Sequence, residues 1–451
     1  MDPEDIVKLA EKKGADEAEV FWIKNVETEL SVEKNEVNFG GGGASTGYSI
    51  RVVKDGRIGF SYFSEKDVEK AVENAIKLSK LGKKIEGYSL PSADDYPEIE
   101  GIYSDDVANY EPEMALDSLK EMVESALSLH KGMVIPEGGI EYGYTEYYVY
   151  NSHGLYVEGK ESGIGGWLYA VLQDKGVSNG SAMAFSHSAD IDFSSIGKEA
   201  GEIALKTQGA KKLEKSGEMD VLFMRNAMKQ ILEFTTVVQL YGNRAHRGES
   251  PYRPDMIGEK IGADGLSIYD DQLNPLGLYT APSDDEGVPS RRLELIEDGI
   301  LKNFMFDSVS AKEFGAESTG NGMRTGPRFR VPRDSSVPET VARNIVLEFP
   351  EVKSIDDIIS EMDRGIVVYS VLGAHTANAV SGDISINSTG LLYVENGEVK
   401  YPVISAMIGT NSQHILKNIG ALGDDIRPMP ASMGGFSFIM PSVLVHGIKV
   451  S

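Results

Sequence analysis

Residues 365–402, GIVVYSVLGAHTANAVSGDISINSTGLLYVENGEVKYP, decide how the rest of the chain is read. The run from Val367 to Val371 is rich in β-branched residues and has strand length. It breaks at Gly373 into small and polar residues that a packed core would not select. Ile384, Ile386, Leu392 and Val394 resume the strand pattern. Asn396-Gly397 then supplies two positions that tolerate φ > 0, the signature of a tight hairpin turn, and residues 399–403 return as a strand. The pattern is strand, open polar loop, hairpin. The loop 375–383 is thereby a candidate contact surface, with His375, Asn378 and Asp383 as the residues to touch a substrate or partner. Polar loop residues also commonly serve only to hold their own loop.

Outward from this stretch, residues 216–451 keep the same character. A short strand at 221–223 leads into a helix at 226–241. Strands and hairpins follow, with turns at Glu297-Asp298-Gly299 and Asn396-Gly397 and two short helices, 355–362 behind a Ser354 cap and 412–419. Few helices among many hairpins predict a mostly antiparallel curved sheet or barrel. Residues 1–215 read as a separate α+β domain. A helix opens at Asp2-Pro3, strands follow at 20–23, 28–32, 48–53 and 58–63, and a helix runs from about Glu65 to Leu81. After an acidic connection, 83–111, the order recurs: helix 112–129, strands 140–145, 147–151, 167–173 and 182–187, helix 195–207. Residues 3–82 and 112–208 are therefore a possible duplication of a helix, four-strand, helix unit. The fold class is α+β.

Composition narrows the function. The formal charge of −26 sets a repulsive field against any phosphate backbone, and no Lys/Arg cluster overrides it, which argues against nucleic acid as a partner. The absence of cysteine excludes disulfides and thiolate metal sites. The first residues lack the apolar core of a signal peptide, and no run of about 18 apolar residues is present to span a membrane. The expectation is a soluble cytoplasmic protein with no membrane partner.

Several motifs fail on chemistry. Residues 40–47, GGGGASTG, have P-loop spacing between Gly42 and Gly47, but Tyr48 stands where Lys must reach the phosphates and a strand follows instead of a helix. The run reads as a mobile loop between strands. Gly176-Val177-Ser178-Asn179-Gly180 matches GxSxG, but strands flank it on both sides, and Asn179-Gly180 reads as a hairpin turn. His153, His187, His246, His375, His414 and His446 are scattered without ligand spacing. Asp284-Asp285-Glu286 and Asp424-Asp425 read as solvated loops.

Three blocks in order carry a family resemblance: GAHTANAVSGDISINSTGLLYVENGEVKYPV from Gly373, EGVPSRRLELIEDGILKNFMFDSVSAKEFGAESTGN from Glu286 to Asn321, and GALGDDI from Gly420 with the closing VLVHGIKVS. They resemble the TldD/PmbA family, formerly labelled modulators of DNA gyrase. In its catalytic branch, TldD, the resemblance implies a His-Glu-x-x-x-His motif on the helix after the strand matching 221–223, with zinc bound and the Glu as general base. Histidines four apart on one helical face can converge on a cation, and water on that cation loses a proton near neutral pH. Here the helix reads NAMKQILEFTTVVQLYG, and no histidine occurs between His187 and His246. Glu233 and Gln239 remain as its polar residues. The C-terminal Cys of the catalytic branch is also missing, with Leu422 near its place. These departures match the TldE/PmbA branch, which pairs with TldD and lacks the metal motif.

The resemblance thus implies a non-catalytic TldE/PmbA-like subunit of a zinc metalloprotease acting on unfolded peptides. No catalytic or metal residue and no cofactor is expected in this chain, zinc being held by a TldD-like partner. Without that partner the face that would meet it can form a homodimer. The alternatives are a self-sufficient homodimeric peptidase and a non-enzymatic peptide-binding or scaffold protein.

Overall fold

The computed structural model describes residues 2–64, 66–92, 95–324 and 333–451. The predicted helix start at Glu65 and two positions of the 83–111 connection, 93 and 94, lie outside them.

Six strands, β1 (Glu17–Glu33), β2 (Glu36–Lys54), β3 (Arg57–Phe63), β4 (Met133–Asn151), β5 (Tyr156–Asp174) and β6 (Gly176–Ser186), form one antiparallel sheet in the order β3-β2-β1-β4-β5-β6. Side chains alternate between its faces, so each strand serves two surfaces. On one face Val20, Ile50 and Val52 pack beneath helices α1 (Pro3–Lys12) and α2 (Val68–Ser79). Farther along the same face lie Leu30, Ile140, Ile164 and Leu168. They are covered by α3 (Asp105–Ala108), α4 (Pro112–Leu127) and α5 (Phe193–Lys206). The opposite face carries Phe21, Tyr147, Val149 and Val157, which pack on Ala281 of the C-terminal region.

Each half of this sheet has three strands where four were predicted. The segments 20–23 and 28–32 are both parts of β1, and 140–145 and 147–151 are both parts of β4. The polar residues between them resemble a turn but lie mid-strand, where Lys24 donates to the Tyr144 hydroxyl across the ladder. Both halves nevertheless run helix, three strands, helix, and they meet along β1 and β4.

The glycine run 40–47 is not a loop. It lies within β2, with Gly42 opposite Thr28 and Gly43 opposite Glu27, and it accommodates a bulge at Glu29/Leu30. A Cβ at Gly47 would fall on the Asp334 carboxylate, so this glycine permits close approach of the C-terminal region. Asn179-Gly180 is likewise interior strand in β6, and the turn falls at Gly176 (φ 112°).

In the C-terminal region β7 (Gly217–Phe223) pairs in parallel with the strand Arg364–Leu372, which leads by antiparallel pairings through Asp383–Glu395 and Ala406–Asn411 to Val443–Val450. Val443–Val450 pairs back onto β7, closing a five-stranded barrel. A second sheet includes Ser267–Asp271, Asn344–Glu348 and the hairpin of Arg427–Pro430 with Ser437–Met440. It shares one apolar core with the barrel, from Val221, Phe223 and Val368 to Ile268, Ile345 and Phe438. The two predicted hairpin turns have the expected geometry, with φ of 53° and 74° at Asn396 and Gly397 and 50° and 73° at Asp298 and Gly299. No helix among the described residues is long and apolar enough to cross a membrane.

Candidate functional site

The helix following β7 is shorter than predicted and irregular. Regular α-helix, α6, covers Arg225–Leu232; a π-helical turn covers Glu233–Val237, and Tyr241 already caps the next helix. A π turn inserts an extra residue per turn and is frequent at functional positions. Two charged residues on this helix are almost fully buried, Lys229 and Glu233. The Lys229 ammonium donates to the Pro430 carbonyl at 3.0 Å, and the two Glu233 oxygens accept the Ser432 and Met433 amides at 2.7 and 2.8 Å. Burial pushes Lys229 down from its ordinary value, and the Glu233 charge one turn later opposes that shift.

At the far end of the helix Gln239 is fully buried. It donates to the Ala379 carbonyl and accepts from the Ser412 hydroxyl, which ties the 374–383 loop to the helix. His375 is exposed, its ring edge-on to Phe234 at 6.2 Å between centroids. Asn378 accepts the amides of Val380 and Ser381, and Asp383 accepts the Ser381 hydroxyl, so these two side chains shape their own loop. Of the three predicted contact residues, His375 alone packs against the helix.

A cleft of about 370 Å³ opens between the N-terminal sheet and the C-terminal region. Its floor includes Gly143, Gly163 and Gly165, and its far wall is Leu278, Tyr279 and Pro430. Glu27, Glu29, Glu141 and Glu161 line it, with Glu29 directly opposite Glu141 in the ladder. Glu141 is exposed at the cleft mouth, and desolvation by the cleft walls, then the Glu29 and Glu27 charges, raise its carboxyl. His375, Asn378 and Asp383 do not line this cleft. The helix and the cleft share one wall, because Pro430 and the turn after it are the groups held by Lys229 and Glu233.

The acidic run 284–286 is not a solvated loop. All three side chains are buried at the seam between the N-terminal sheet and the C-terminal region. Arg51 of β2 donates to Glu286 at 2.5 Å and to Glu19 of β1 at 2.6 Å; Arg324 donates to the other Glu19 oxygen at 2.6 Å. Asp285 binds Arg333, which also reaches Glu161. Burial alone would raise Asp285, but Arg333 beside it holds the carboxyl below its ordinary range. For Glu286, burial outweighs Arg51 and the carboxyl is raised. Asp425 is half-buried and pairs with Arg225, while Asp424 is exposed as expected.

His187 sits between the Ser162 and Gly277 carbonyls, His246 stacks on Phe314 at 4.5 Å and His446 binds Asp220 at 2.9 Å, while the His414 ring lies 3.0 Å from the His446 carbonyl. Among the described residues no three His, Asp or Glu side chains gather as a metal site. A zinc ion does not fit the helix: both Glu233 oxygens already accept main-chain amides, and Lys229 one turn earlier would repel a cation. Sequence reasoning missed Lys229 and the glutamate row. The signals available were a lysine four residues before Glu233, hence on the same helix face, and the alternation Glu27-Thr28-Glu29, which places both acids on one strand face.

Known proteins align with the whole of this architecture. Residues 216–451 match the model of the PmbA/TldA metallopeptidase C-terminal domain, 18–79 match domain 1 and 105–208 the central domain. The chain belongs to the TldD/PmbA family and is TldE-like. It superposes on the crystal structure of TldE from Thermococcus kodakarensis with a TM-score of 0.90 at 27% identity, covering 99% of both chains. A putative modulator of DNA gyrase from Thermotoga maritima gives 0.87 at 27% identity, again over 99% of both chains. In sequence it is 26% identical to the metalloprotease PmbA homolog of Haemophilus influenzae, across 99% of this chain and 94% of that protein.

Proposed function

We propose that this chain is the non-catalytic, TldE/PmbA-like subunit of a cytoplasmic TldD/TldE-type zinc metalloprotease that processes unfolded peptides, with a TldD-like partner holding the zinc. The observation that carries this reading is the helix 225–239. In the catalytic branch the resemblance implies two histidines on the matching helix that bind zinc, with the glutamate as general base. Here its buried charged residues, Lys229 and Glu233, bind the main chain of residues 430–433 instead. Without a TldD-like partner the chain is expected to self-associate, since subunits of like fold can mimic one another at an isologous contact. The exposed loop residues His375, Asn378 and Asp383 are proposed to meet a peptide or partner, with Asn378 and Asp383 also holding the loop in shape.

Co-expression with a TldD-like protein, copurification and elemental analysis of each subunit test the reading. Expected are a stable complex, about one zinc per TldD-like chain, none on this chain, and peptidase activity only in the mixture. Tightly bound stoichiometric zinc on this chain, or peptide hydrolysis by it alone, would overturn the assignment.

A further inference from the structure

The hairpin joining Arg427–Pro430 to Ser437–Met440 ends in the turn 431–436, which forms part of no barrel strand and whose tip residues Ser432, Met433 and Gly434 are exposed. The turn is short and glycine-rich, with φ of 74° at Gly434 and 87° at Gly435. Its internal hydrogen bonds are two, from Ala431 N to Phe436 O and from Gly434 N to Ala431 O. Its two ends, Ala431 and Phe436, are buried in the main core, and the hydrogen bonds that reach it from outside are Lys229 on the Pro430 carbonyl, Glu233 on the amides of Ser432 and Met433, and the Tyr279 hydroxyl accepting the Gly435 amide at 3.1 Å. Lys229 and Glu233 are one helical turn apart, so a single helix face grips both the donor and the acceptor groups of one short segment. Hydrogen bonds from charged groups in a buried setting are the stronger class. Pro430 and Tyr279 are at the same time wall residues of the acidic cleft.

We propose that Lys229 and Glu233 are positioning residues that hold the cleft-wall residue Pro430 and the turn that follows it, so that the place of this wall is set by the helix as well as by the hairpin itself. Ala431 and Phe436 anchor the two ends of the turn in the core, but the exposed tip 432–434 with its adjoining glycines has little else to keep it in place once the grip is released. A contact that shifts the helix 225–239 therefore reaches the cleft wall through three hydrogen bonds, without passing through the barrel.

The chain contains no cysteine, which allows site-specific labelling without background. Spin labels at Met433→Cys and Ser188→Cys, on the turn tip and beside the cleft residue His187, report the position of the tip relative to the cleft in the full-length protein. Amide exchange at Ser432 and Met433 reports the grip. Expected for the otherwise unaltered protein are one narrow distance distribution and two protected amides at the exposed tip. Expected for Glu233→Gln are a broader, longer distribution and at least tenfold faster exchange at those amides, with the barrel strand Arg364–Leu372 unchanged. Lys229→Met should broaden the distances in the same direction and serves if Glu233→Gln does not fold. Free exchange of the two amides in the unaltered protein, or unchanged distances and exchange in a folded variant, would overturn the proposal. Loss of protection spread evenly through the barrel would overturn it too, by showing Glu233 to be a determinant of the whole fold.

Discussion

Replacing Arg51 by Met tests the buried seam most directly. The guanidinium has no solvent exposure and bridges Glu286 at 2.5 Å and Glu19 at 2.6 Å, both equally buried. The two carboxylates do not lose equally. Glu19 keeps Arg324 at 2.6 Å, whereas Glu286 keeps only the amide and hydroxyl of Ser308. Removing one partner of a buried ion pair costs about 3–5 kcal/mol, because the remaining charge stays desolvated. The surviving bonds to Ser308 place the expected loss near the lower bound, about 3 kcal/mol. Against a total stability of about 5–15 kcal/mol this is a large fraction.

The loss should depend on pH with a definite sign. Burial raises the Glu286 carboxyl above its ordinary 4.5 even with Arg51 present. Without Arg51 the folded protein holds that proton over a wider range than the unfolded chain does. The stability deficit of the variant is therefore fully present above the raised folded value and shrinks as pH falls toward 4.5. Urea unfolding of wild type, Arg51→Met, Glu286→Gln and the double variant at pH 7 and pH 5 measures all of this. The double variant should cost less than the sum of the singles by at least ~1 kcal/mol. A single-variant loss below about 1 kcal/mol at pH 7, or strict additivity, would show that the seam is not held by this pair.

Three further outcomes follow from local geometry. Gly397→Ala should destabilise by more than about 1 kcal/mol, read as a lowered unfolding midpoint, because φ is 74° there and a new Cβ would meet the Ser360 carbonyl. His446 should titrate by NMR above the ordinary 6.5 because its ring binds Asp220; its stabilisation is present below pH 6.5 and lost as pH rises through the raised value. At 52% side-chain exposure, that pair should contribute less than ~1 kcal/mol. His375→Ala should leave the unfolding free energy within about 0.5 kcal/mol of wild type, whereas Asn378→Ala should speed amide exchange at Val380 and Ser381, whose donors it holds.

What the sequence disclosed was set by whether its signals were local. Asn396-Gly397 and Asp298-Gly299 were legible because a two-residue turn is determined by its own φ preferences. Val221–Phe223 and the helix after it were legible from hydrophobic pattern, and three sequence blocks carried the family. The glycines of β2 misled because glycine serves loops and close approaches alike, and the Asp334 carboxylate against Gly47 lies far away in sequence. Asp284-Asp285-Glu286 misled for the same reason: the arginine that buries Glu286 is 235 residues away. The π turn and the grip of Lys229 and Glu233 depend on a hairpin some 200 residues later, beyond the reach of any local window.

The barrel also has a history. β7 is the first strand of the ring in chain order and Val443–Val450 the last, and they lie side by side. During synthesis β7 therefore emerges long before the neighbour that will cover one of its edges, and until residue 450 has been made it presents unpaired amides and carbonyls beside buried Val221 and Phe223. Such an edge is a template for mispairing with another chain, and contacts of this sequence separation close slowly. The N-terminal sheet, whose β1–β2, β2–β3, β4–β5 and β5–β6 pairs are neighbours in sequence, can assemble first and give the later strands a surface to settle on. The order of synthesis thus leaves one edge of β7 open until the eight residues of Val443–Val450 are in place.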